Sequence, residues 1–268
     1  MDIAWMDHLE LLLIGIMAGF SGSLVGLGGA FIIIPTLVFL YNFPPQLIIG
    51  TSMAVLFFNS ISSSYTYSRQ RKIDFKSGFG FAMAMIPGSV IGAFVAESFS
   101  SKAFYVIYGI ILLCVAGFLL WKPDQPVKKF LSPTITRSLT DVNGITYTYS
   151  YHRGFALIAS FFIGFISSLL GIGGGAFLVP IMVLLLGFPP HIATATSMFA
   201  IMLSAVIGTA SHAALQNVMW LKVLFLAPGA FIGGQLGART AAKLKGKTIM
   251  RILACLLIVI AFRLILKS

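Results

Sequence analysis

Charged residues are scarce in this sequence. Asp, Glu, Lys and Arg make up 9% of its 268 residues, whereas soluble domains carry about 25%. Hydrophobic residues make up 58%, and the mean hydropathy is +0.99. Several apolar runs approach or exceed the ~18 residues of a membrane span. The composition excludes an ordinary soluble fold and predicts an all-α polytopic membrane protein.

Acidic residues and cysteines are especially few. None of the seven acidic residues lies in the middle of an apolar segment, so we expect no carboxylate proton relay at the membrane centre. The two cysteines, Cys114 and Cys255, lie within apolar segments. Free cysteine packs as a small buried hydrophobe, so we predict a packing role and no disulfide framework. Residues 1–10 are acidic rather than basic, which argues against a cleaved signal peptide.

Features of enzymes and nucleotide-binding proteins are also missing. The sequence has no recognisable Ser–His–Asp set, no duplicated metal-ligand cluster and no Walker lysine after its glycine-rich stretches. We therefore predict no enzyme activity, no cofactor and no metal site. The net charge of +11 could suggest nucleic acid, but in a membrane protein it more often reflects basic cytoplasmic loops. No nucleic-acid partner is expected.

The chain is instead rich in apolar sequence that is internally repeated. Residues 19–53 match the residues 145 positions further on at 16 of 35 sites. We interpret 1–121 and 154–268 as two membrane repeats, joined by a polar linker at 122–153. About 8–10 transmembrane segments are expected, including short or broken helices. The apolar segments are 9–27, 30–42, 45–68, 77–96, 102–121, 154–172, 175–187, 190–214, 219–238 and 247–266.

The distribution of basic residues predicts the topology. Five segments in each half is an odd number, so the second repeat should enter the membrane in the opposite orientation. With both termini outside, 14 of the 18 basic residues face the cytoplasm, as the positive-inside rule prefers. The four left outside are Lys102, Lys222, Arg263 and Lys267. The predicted architecture is therefore an inverted repeat.

The first two segments of each half leave two alternatives open. Residues 9–42 form 34 positions, or ~51 Å of helix, whereas two upright crossings of the bilayer core need ~60 Å. Either the second piece is a half-helix, or the pair is a re-entrant hairpin. In the linker, Asn143-Gly144 and the alternating residues 145–151 predict a small cytoplasmic β-hairpin that ties the halves together.

Each repeat carries a glycine cluster between its first two segments. Such a break in a hydrophobic run is tolerated in a membrane only where protein or a water-filled cavity covers it. It leaves a helix N-terminus whose free N–H groups suit an anion; the alternative is that glycine only permits close helix packing. The candidate substrate-binding glycines are Gly26, Gly28, Gly29, Gly171, Gly173 and Gly174.

A polar stripe follows on the next segment of each half. Ser52, Asn59, Ser63 and Thr66 are spaced to lie on one helix face, and the repeat places Ser197, Ser204, Gly208 and Ser211 at the same positions. These side chains either bind the oxygens of an oxyanion or hydrogen-bond the helices together. The candidate ligands on these segments are Thr51, Ser52, Asn59, Thr196, Ser197 and Ser204.

Two further residues are candidates for coupling or gating. His212 titrates near neutral pH in its unperturbed state, although an interfacial hydrogen-bonding role is the alternative. Arg71 is placed to attract anions from the cytoplasm, although loop cations often only set the topology.

The pattern Gly-x6-Gly-x-Gly-Gly-x5-Pro at 19–35, its copy at 164–180 and the two Thr-Ser-Met elements resemble the sulfite exporter TauE/SafE family. The resemblance covers the chain apart from the central linker. It implies transport of sulfite, organosulfonates and related sulfur anions across the bacterial inner membrane. Composition and spacing by themselves imply only an inverted-repeat transporter of a small anion. With the resemblance added, the expected partners are a sulfur oxyanion or organosulfonate substrate, the lipid bilayer and a coupling proton or ion.

The mechanism expected from these features is alternating access between the two repeats. An anion channel with a similar pore lining is one alternative. A carrier of another small oxyanion or of a carboxylate is the other.

Overall fold

The computed structural model describes residues 2–41, 43–121, 132–241 and 258–266. The described residues form ten helices and one two-stranded sheet. The helices are α1 (Asp2–Val25), α2 (Ala30–Tyr41), α3 (Pro45–Arg69), α4 (Phe75–Ala96), α5 (Ser101–Trp121), α6 (Arg153–Leu170), α7 (Gly175–Leu184), α8 (Pro190–Ala214), α9 (Trp220–Ala241) and α10 (258–266). The strands are β1 (Ile135–Thr140) and β2 (Thr146–Tyr151).

Among the described residues, six helices are long and apolar enough to cross a membrane: α1, α3, α4, α6, α8 and α9. The predicted all-α polytopic fold is confirmed. Helices α2 and α7 contain only 12 and 10 residues, which corresponds to roughly 18 and 15 Å. In each half, a helix of spanning length is therefore followed by a half-length helix.

The repeated sequence produces repeated helix ends. Helix α1 stops before Gly26 and α6 stops before Gly171, and these two glycines have φ values of 84° and 69°. Glycine adopts this left-handed conformation without the steric penalty of a side chain, and it commonly ends helices in this way. Helices α3 and α8 begin at Pro45 and Pro190, where the missing N–H of proline is not needed.

The helices of each half pack mainly against those of the other half. Helix α1 lies along α9 and α6 lies along α4, while α3 and α8 contact each other and also α9 and α4, respectively. A Cβ on Gly233 would overlap the carbonyl oxygen of Ile16, and one on Gly88 would overlap that of Phe161. These two contacts are equivalent at the 145-residue offset. Small residues therefore permit the same close backbone approach in both pairs.

Cys114 does not occupy the expected environment. Its side chain is exposed on α5, so the prediction that it packs in the interior is wrong for this residue. The side chains of α5 that are buried in the core lie on a different face from Cys114 and include Phe104, Tyr108 and Leu112. Cys255 lies outside the described residues, as do most of the linker cations and of the segment at 247–266.

The linker forms an antiparallel hairpin. Its register runs from the pair Ile135 and Tyr151 to the pair Thr140 and Thr146. Two backbone N–H groups in the turn donate to Asp141 Oδ1, and Gly144 has a φ of 79°. At the end of β2 that is farther from the turn, the ring centroids of Tyr149 and Tyr151 lie 4.3 and 5.2 Å from that of Phe188. The hairpin thus packs against the connection between α7 and α8.

Candidate functional site

The two glycine clusters contact each other at the centre of the protein. We call residues 26–29 and 171–175 together the glycine junction. A Cβ on Gly175 would overlap the carbonyl oxygen of Gly26, and one on Gly173 would lie 3.5 Å from that of Leu27. All of these residues are buried. The structure therefore brings into contact the two glycine clusters that the sequence nominated from separate halves of the chain.

The junction lies at the N-termini of the two half-helices. Gly28, Gly29 and Gly173 have φ values of 88°, 90° and 81°, whereas Gly174 has an ordinary helical conformation with φ −59°. Intrahelical bonding starts at the carbonyls of Gly29 and Gly174, each of which accepts from two later N–H groups. The first N–H groups of a helix have no intrahelical acceptor and carry partial positive charge. Two electropositive helix ends therefore face the junction.

Ser52 and Ser197 attach each glycine cluster to the opposite half. Ser52 Oγ donates to the carbonyl of Gly171 at 2.9 Å, and Ser197 Oγ donates to that of Gly26 at 3.3 Å. Each hydroxyl also contacts a carbonyl of its own helix, at 2.8 and 2.9 Å. The two crossing bonds are equivalent at the 145-residue offset. They hold α3 and α8 against the ends of α6 and α1.

Thr51 and Thr196 form a second equivalent pair. Thr51 Oγ1 accepts from the backbone N–H of Met219, and Thr196 Oγ1 accepts from that of Asp74, both at 3.0 Å. Together with Ser52 and Ser197, these two side chains are 0% exposed. In this conformation they have partners within the protein, so a substrate would have to replace one of these contacts.

Asn59 and Ser204 occupy equivalent positions but make different contacts. Asn59 Nδ2 donates to the carbonyl of Gly28 at 2.8 Å, and its Oδ1 accepts from Ser23 at 3.0 Å. Ser204 donates to the carbonyl of Ile201 in its own helix at 3.2 Å. The first half therefore fixes its glycine cluster with an amide side chain that the second half lacks.

Leu56 lies between the two glycine clusters. A Cβ on Gly28 would overlap Leu56 Cδ1, and one on Gly173 would lie 2.8 Å from Leu56 Cδ2. Its side chain is fully buried. Sequence reasoning missed this residue because an apolar side chain in an apolar helix gives no signal that it contacts a glycine loop.

His212 and Tyr67 are equivalent and bind equivalent carbonyls. Tyr67 Oη donates to the carbonyl of Ser23 at 2.7 Å, and His212 Nε2 lies 2.9 Å from the carbonyl of Ser168. His212 is fully buried, and its Nδ1 has no hydrogen-bond partner. His212 lies in the last turn of α8, away from the glycine clusters. Its contact with Ser168 holds the end of α6, which leads to Gly171.

Arg71 is not part of this assembly. It lies exposed in the turn between α3 and α4, with a φ of 53°. The neighbouring Lys72 and Asp74 are both only 6% exposed. The sequence interpretation gave Asp74 no role, since a single carboxylate in a polar loop has no distinctive pattern.

Asp74 joins α4 to the hairpin. Its Oδ1 accepts from the N–H of Ser77 at 3.0 Å, and its Oδ2 accepts from Tyr149 Oη at 2.8 Å. Arg137 Nε lies 3.9 Å from Oδ2. Burial, followed by the nearby Asp74 carboxylate, raises the pKa of Tyr149 well above its ordinary value. The phenol therefore remains a hydrogen-bond donor at neutral pH.

No group of three or more His, Cys, Asp or Glu side chains suited to a metal ion occurs in the part of the chain that the structure describes.

In the part of the chain that the structure describes, six spanning-length helices and two half-length helices, α2 and α7, define a multi-pass helical membrane protein. The family model described as "Sulfite exporter TauE/SafE" matches residues 11–264. The chain therefore belongs to the sulfite exporter TauE/SafE family and is a membrane transporter rather than an enzyme.

Curated relatives match along nearly the whole chain. The probable membrane transporter protein YunE of Bacillus subtilis is 41% identical over 271 residues, which cover 98% of this chain and 99% of the relative. A probable membrane transporter protein of Haemophilus influenzae is 28% identical over 278 residues, covering 97% and 98%. YfcA of Escherichia coli, also named a probable membrane transporter protein, is 25% identical over 242 residues, covering 90% and 82%. No solved structure gives a significant match.

Proposed function

We propose that this transporter moves sulfite or organosulfonates by alternating access between two inverted repeats. The observation that carries the proposal is the glycine junction, where a half-helix from each half presents its N-terminus. Backbone N–H groups and the helix dipole favour an anion at such a position. The family description, which names a sulfite exporter, supports the choice of sulfur anions.

The contacts of α3 and α8 support the inverted arrangement. Thr196, near the start of α8, binds Asp74, which follows the end of α3. Thr51, near the start of α3, binds Met219, which follows the end of α8. The two equivalent helices therefore run in opposite directions. This is the relation expected for repeats with inverted topology.

Charge favours placing the hairpin side in the cytoplasm. The hairpin contacts the start of α4, and Gln70, at the end of α3, donates to the carbonyl of Ala238 near the end of α9 at 3.1 Å. The cations at these helix ends and in the hairpin thus share one side. The positive-inside rule assigns that side to the cytoplasm of a bacterial inner membrane, with both termini outside.

The observed packing corresponds to an occluded conformation in this mechanism. Leu56 fills the space between the glycine clusters, and the nominated hydroxyls are bound within the protein. Opening towards one side would separate Ser52 from Gly171, and opening towards the other would separate Ser197 from Gly26. The released hydroxyls and the half-helix N–H groups would then bind the oxygens of the substrate. Thr51, Thr196, Asn59 and Ser204 complete the proposed site.

Proton coupling is assigned to His212. Its Nδ1 is the unpartnered atom, and Nε2 is held on the segment that leads into Gly171. Protonation at Nδ1 would add a buried charge whose desolvation favours opening of that segment. Arg71, which is exposed beside the hairpin side, would concentrate anions at the entrance rather than bind them in the site.

Uptake into liposomes tests this function. Purified protein in liposomes should move radiolabelled sulfite or methanesulfonate faster than protein-free liposomes prepared in parallel. Sulfate and acetate, tested at equal concentration, distinguish a sulfur-anion carrier from a carrier of other oxyanions or of carboxylates. Equal rates for all four anions in liposomes with and without protein would contradict the proposal.

A further inference from the structure

A small pocket lies where the hairpin meets α4 and α6, separate from the glycine junction. Its volume is about 110 Å³, which corresponds to the share of liquid taken by roughly three to four water molecules. This is enough for one tetrahedral oxyanion, but not for a larger organic ligand. The lining consists of three cations, Lys76, Arg137 and Arg153, with Ser77, Gly80, Phe81, Ile135, Tyr151 and Leu157.

The three cations come from three separate elements. Lys76 lies in the first turn of α4, Arg137 lies in β1, and Arg153 is the first residue of α6. Within the described residues, neither Lys76 nor Arg153 forms an ion pair with a carboxylate. Asp74 pairs with Arg137 and offsets one of the three positive charges, while it also accepts hydrogen bonds from Ser77 and Tyr149. The pocket therefore has an excess of positive charge that the protein does not neutralise.

Arg137 is incompletely bonded. Its Nε is buried and has no hydrogen-bond partner, because Asp74 Oδ2 at 3.9 Å is beyond hydrogen-bonding distance. A buried donor without an acceptor is unfavourable, and such groups are rare in folded proteins. A guanidinium binds phosphate well because its N–H groups match two phosphate oxygens at once.

The surroundings of the pocket add to its suitability for an anion. Helix α6 begins beside it at Arg153, so the partial positive charge of this helix end points to the pocket, whereas the start of α4 is already capped by Asp74. The two helices then continue with exposed apolar side chains, among them Phe79 and Ile158. The pocket thus adjoins a surface suited to lipid chains.

We propose that this pocket binds a phosphate group, supplied either by an anionic phospholipid or by inorganic phosphate. The three cations neutralise the phosphate, and Arg137 Nε gains its missing acceptor. Bound phosphate links the first turn of α4, the hairpin and the start of α6. This site does not depend on the transported substrate.

Thermal unfolding of the full chain tests the site. The protein is placed in phosphatidylcholine nanodiscs and titrated with inorganic phosphate, with sodium chloride matching the ionic strength. A second set of nanodiscs contains phosphatidylglycerol. A rise in Tm with inorganic phosphate identifies a soluble ligand, and a rise with phosphatidylglycerol identifies a lipid headgroup. Either result, or both, supports the site, and a rise with neither overturns it.

Lys76 and Lys102 provide a matched pair of variants. Both are exposed second residues of long helices, but only Lys76 lines the pocket. We expect Lys76→Gln and Arg153→Gln each to raise the Kd for the active phosphate probe about threefold or more, and together at least about tenfold. Lys102→Gln should leave it unchanged. Equal weakening by Lys102→Gln, or unchanged affinity in the double variant, would mean that the pocket is not the binding site.

Discussion

Individual glycines at the junction differ in how much they restrict substitution. Gly29 has a φ of 90°, and a Cβ there would overlap the backbone carbonyl of Ala18. Gly174 has an ordinary φ, and a Cβ there would meet the terminal methyl group of Met85. A flexible methionine can move, whereas a helix backbone cannot do so readily. Equivalent positions in the repeat therefore have unequal tolerance.

Gly29→Ala should consequently destabilise the protein more than Gly174→Ala. A left-handed backbone with a side chain costs about 1–3 kcal/mol before any overlap is counted. We expect Gly29→Ala to lower the free energy of unfolding by more than about 2 kcal/mol, and Gly174→Ala by less than about 1 kcal/mol. Denaturant unfolding in detergent measures both values, and equal losses would contradict the difference in backbone geometry.

The serines that cross between the halves should matter for transport. Ser52→Ala and Ser197→Ala each remove a hydrogen bond to the other half's glycine cluster. Ser60→Ala is the control, because buried Ser60 donates to Phe57 in its own helix. We expect sulfite uptake into liposomes to fall about fivefold or more in the two crossing variants, a loss of about 1 kcal/mol in binding or barrier energy. Unchanged uptake in both, or an equal loss in Ser60→Ala, would remove these serines from the mechanism.

At the scale of secondary structure, hydropathy and the positions of proline and glycine predict much of the fold. The proline at the start of α3 and α8 and the glycines after α1 and α6 mark helix ends because they act through local backbone geometry. The glycine clusters could be nominated because they are repeated. Leu56 and the bond from Ser52 to Gly171 could not be predicted, since both depend on contacts between residues distant in the sequence. The same is true of Asp74, whose role comes from the packing of the hairpin.

The hairpin should loosen at alkaline pH. The pKa of Tyr149 is raised above its ordinary value of 10.0, chiefly by burial and then by Asp74. The neutral phenol therefore stabilises the fold below pH 10.0, and this contribution is lost as the pH rises towards the higher folded-state value. Between pH 9 and about 11, the Tm of the wild type should fall more steeply than that of Tyr149→Phe. Parallel Tm curves would contradict the coupling between Tyr149 and Asp74.

At the scale of the whole molecule, the two halves are joined by reciprocal contacts. The pairs of α1 with α9 and of α6 with α4 repeat the same glycine packing. The bonds from Thr51 to Met219 and from Thr196 to Asp74 repeat in the same way. Symmetry of this kind makes two conformations related by exchange of the halves similar in energy, which is the condition that alternating access needs.

Cysteine labelling in intact cells tests the proposed orientation. Lys102 and Thr136 are both exposed, on α5 and on the hairpin, respectively. In a background without the native cysteines, a membrane-impermeant maleimide should label Lys102→Cys in intact cells and Thr136→Cys only after permeabilisation. The reverse pattern would place the termini in the cytoplasm, and labelling of both in intact cells would exclude a hairpin on the cytoplasmic side.

Counterflow of sulfite most directly tests the central claim that this is an alternating-access carrier. Liposomes containing the protein are loaded with unlabelled sulfite and diluted into radiolabelled sulfite, and the initial rate of label uptake is compared with that of unloaded liposomes. The binding site of a carrier returns to the outer face faster with substrate bound than when it is empty. Loading the liposomes should therefore accelerate uptake about twofold or more. Protein-dependent uptake that is not accelerated by loading would indicate a channel and contradict the account.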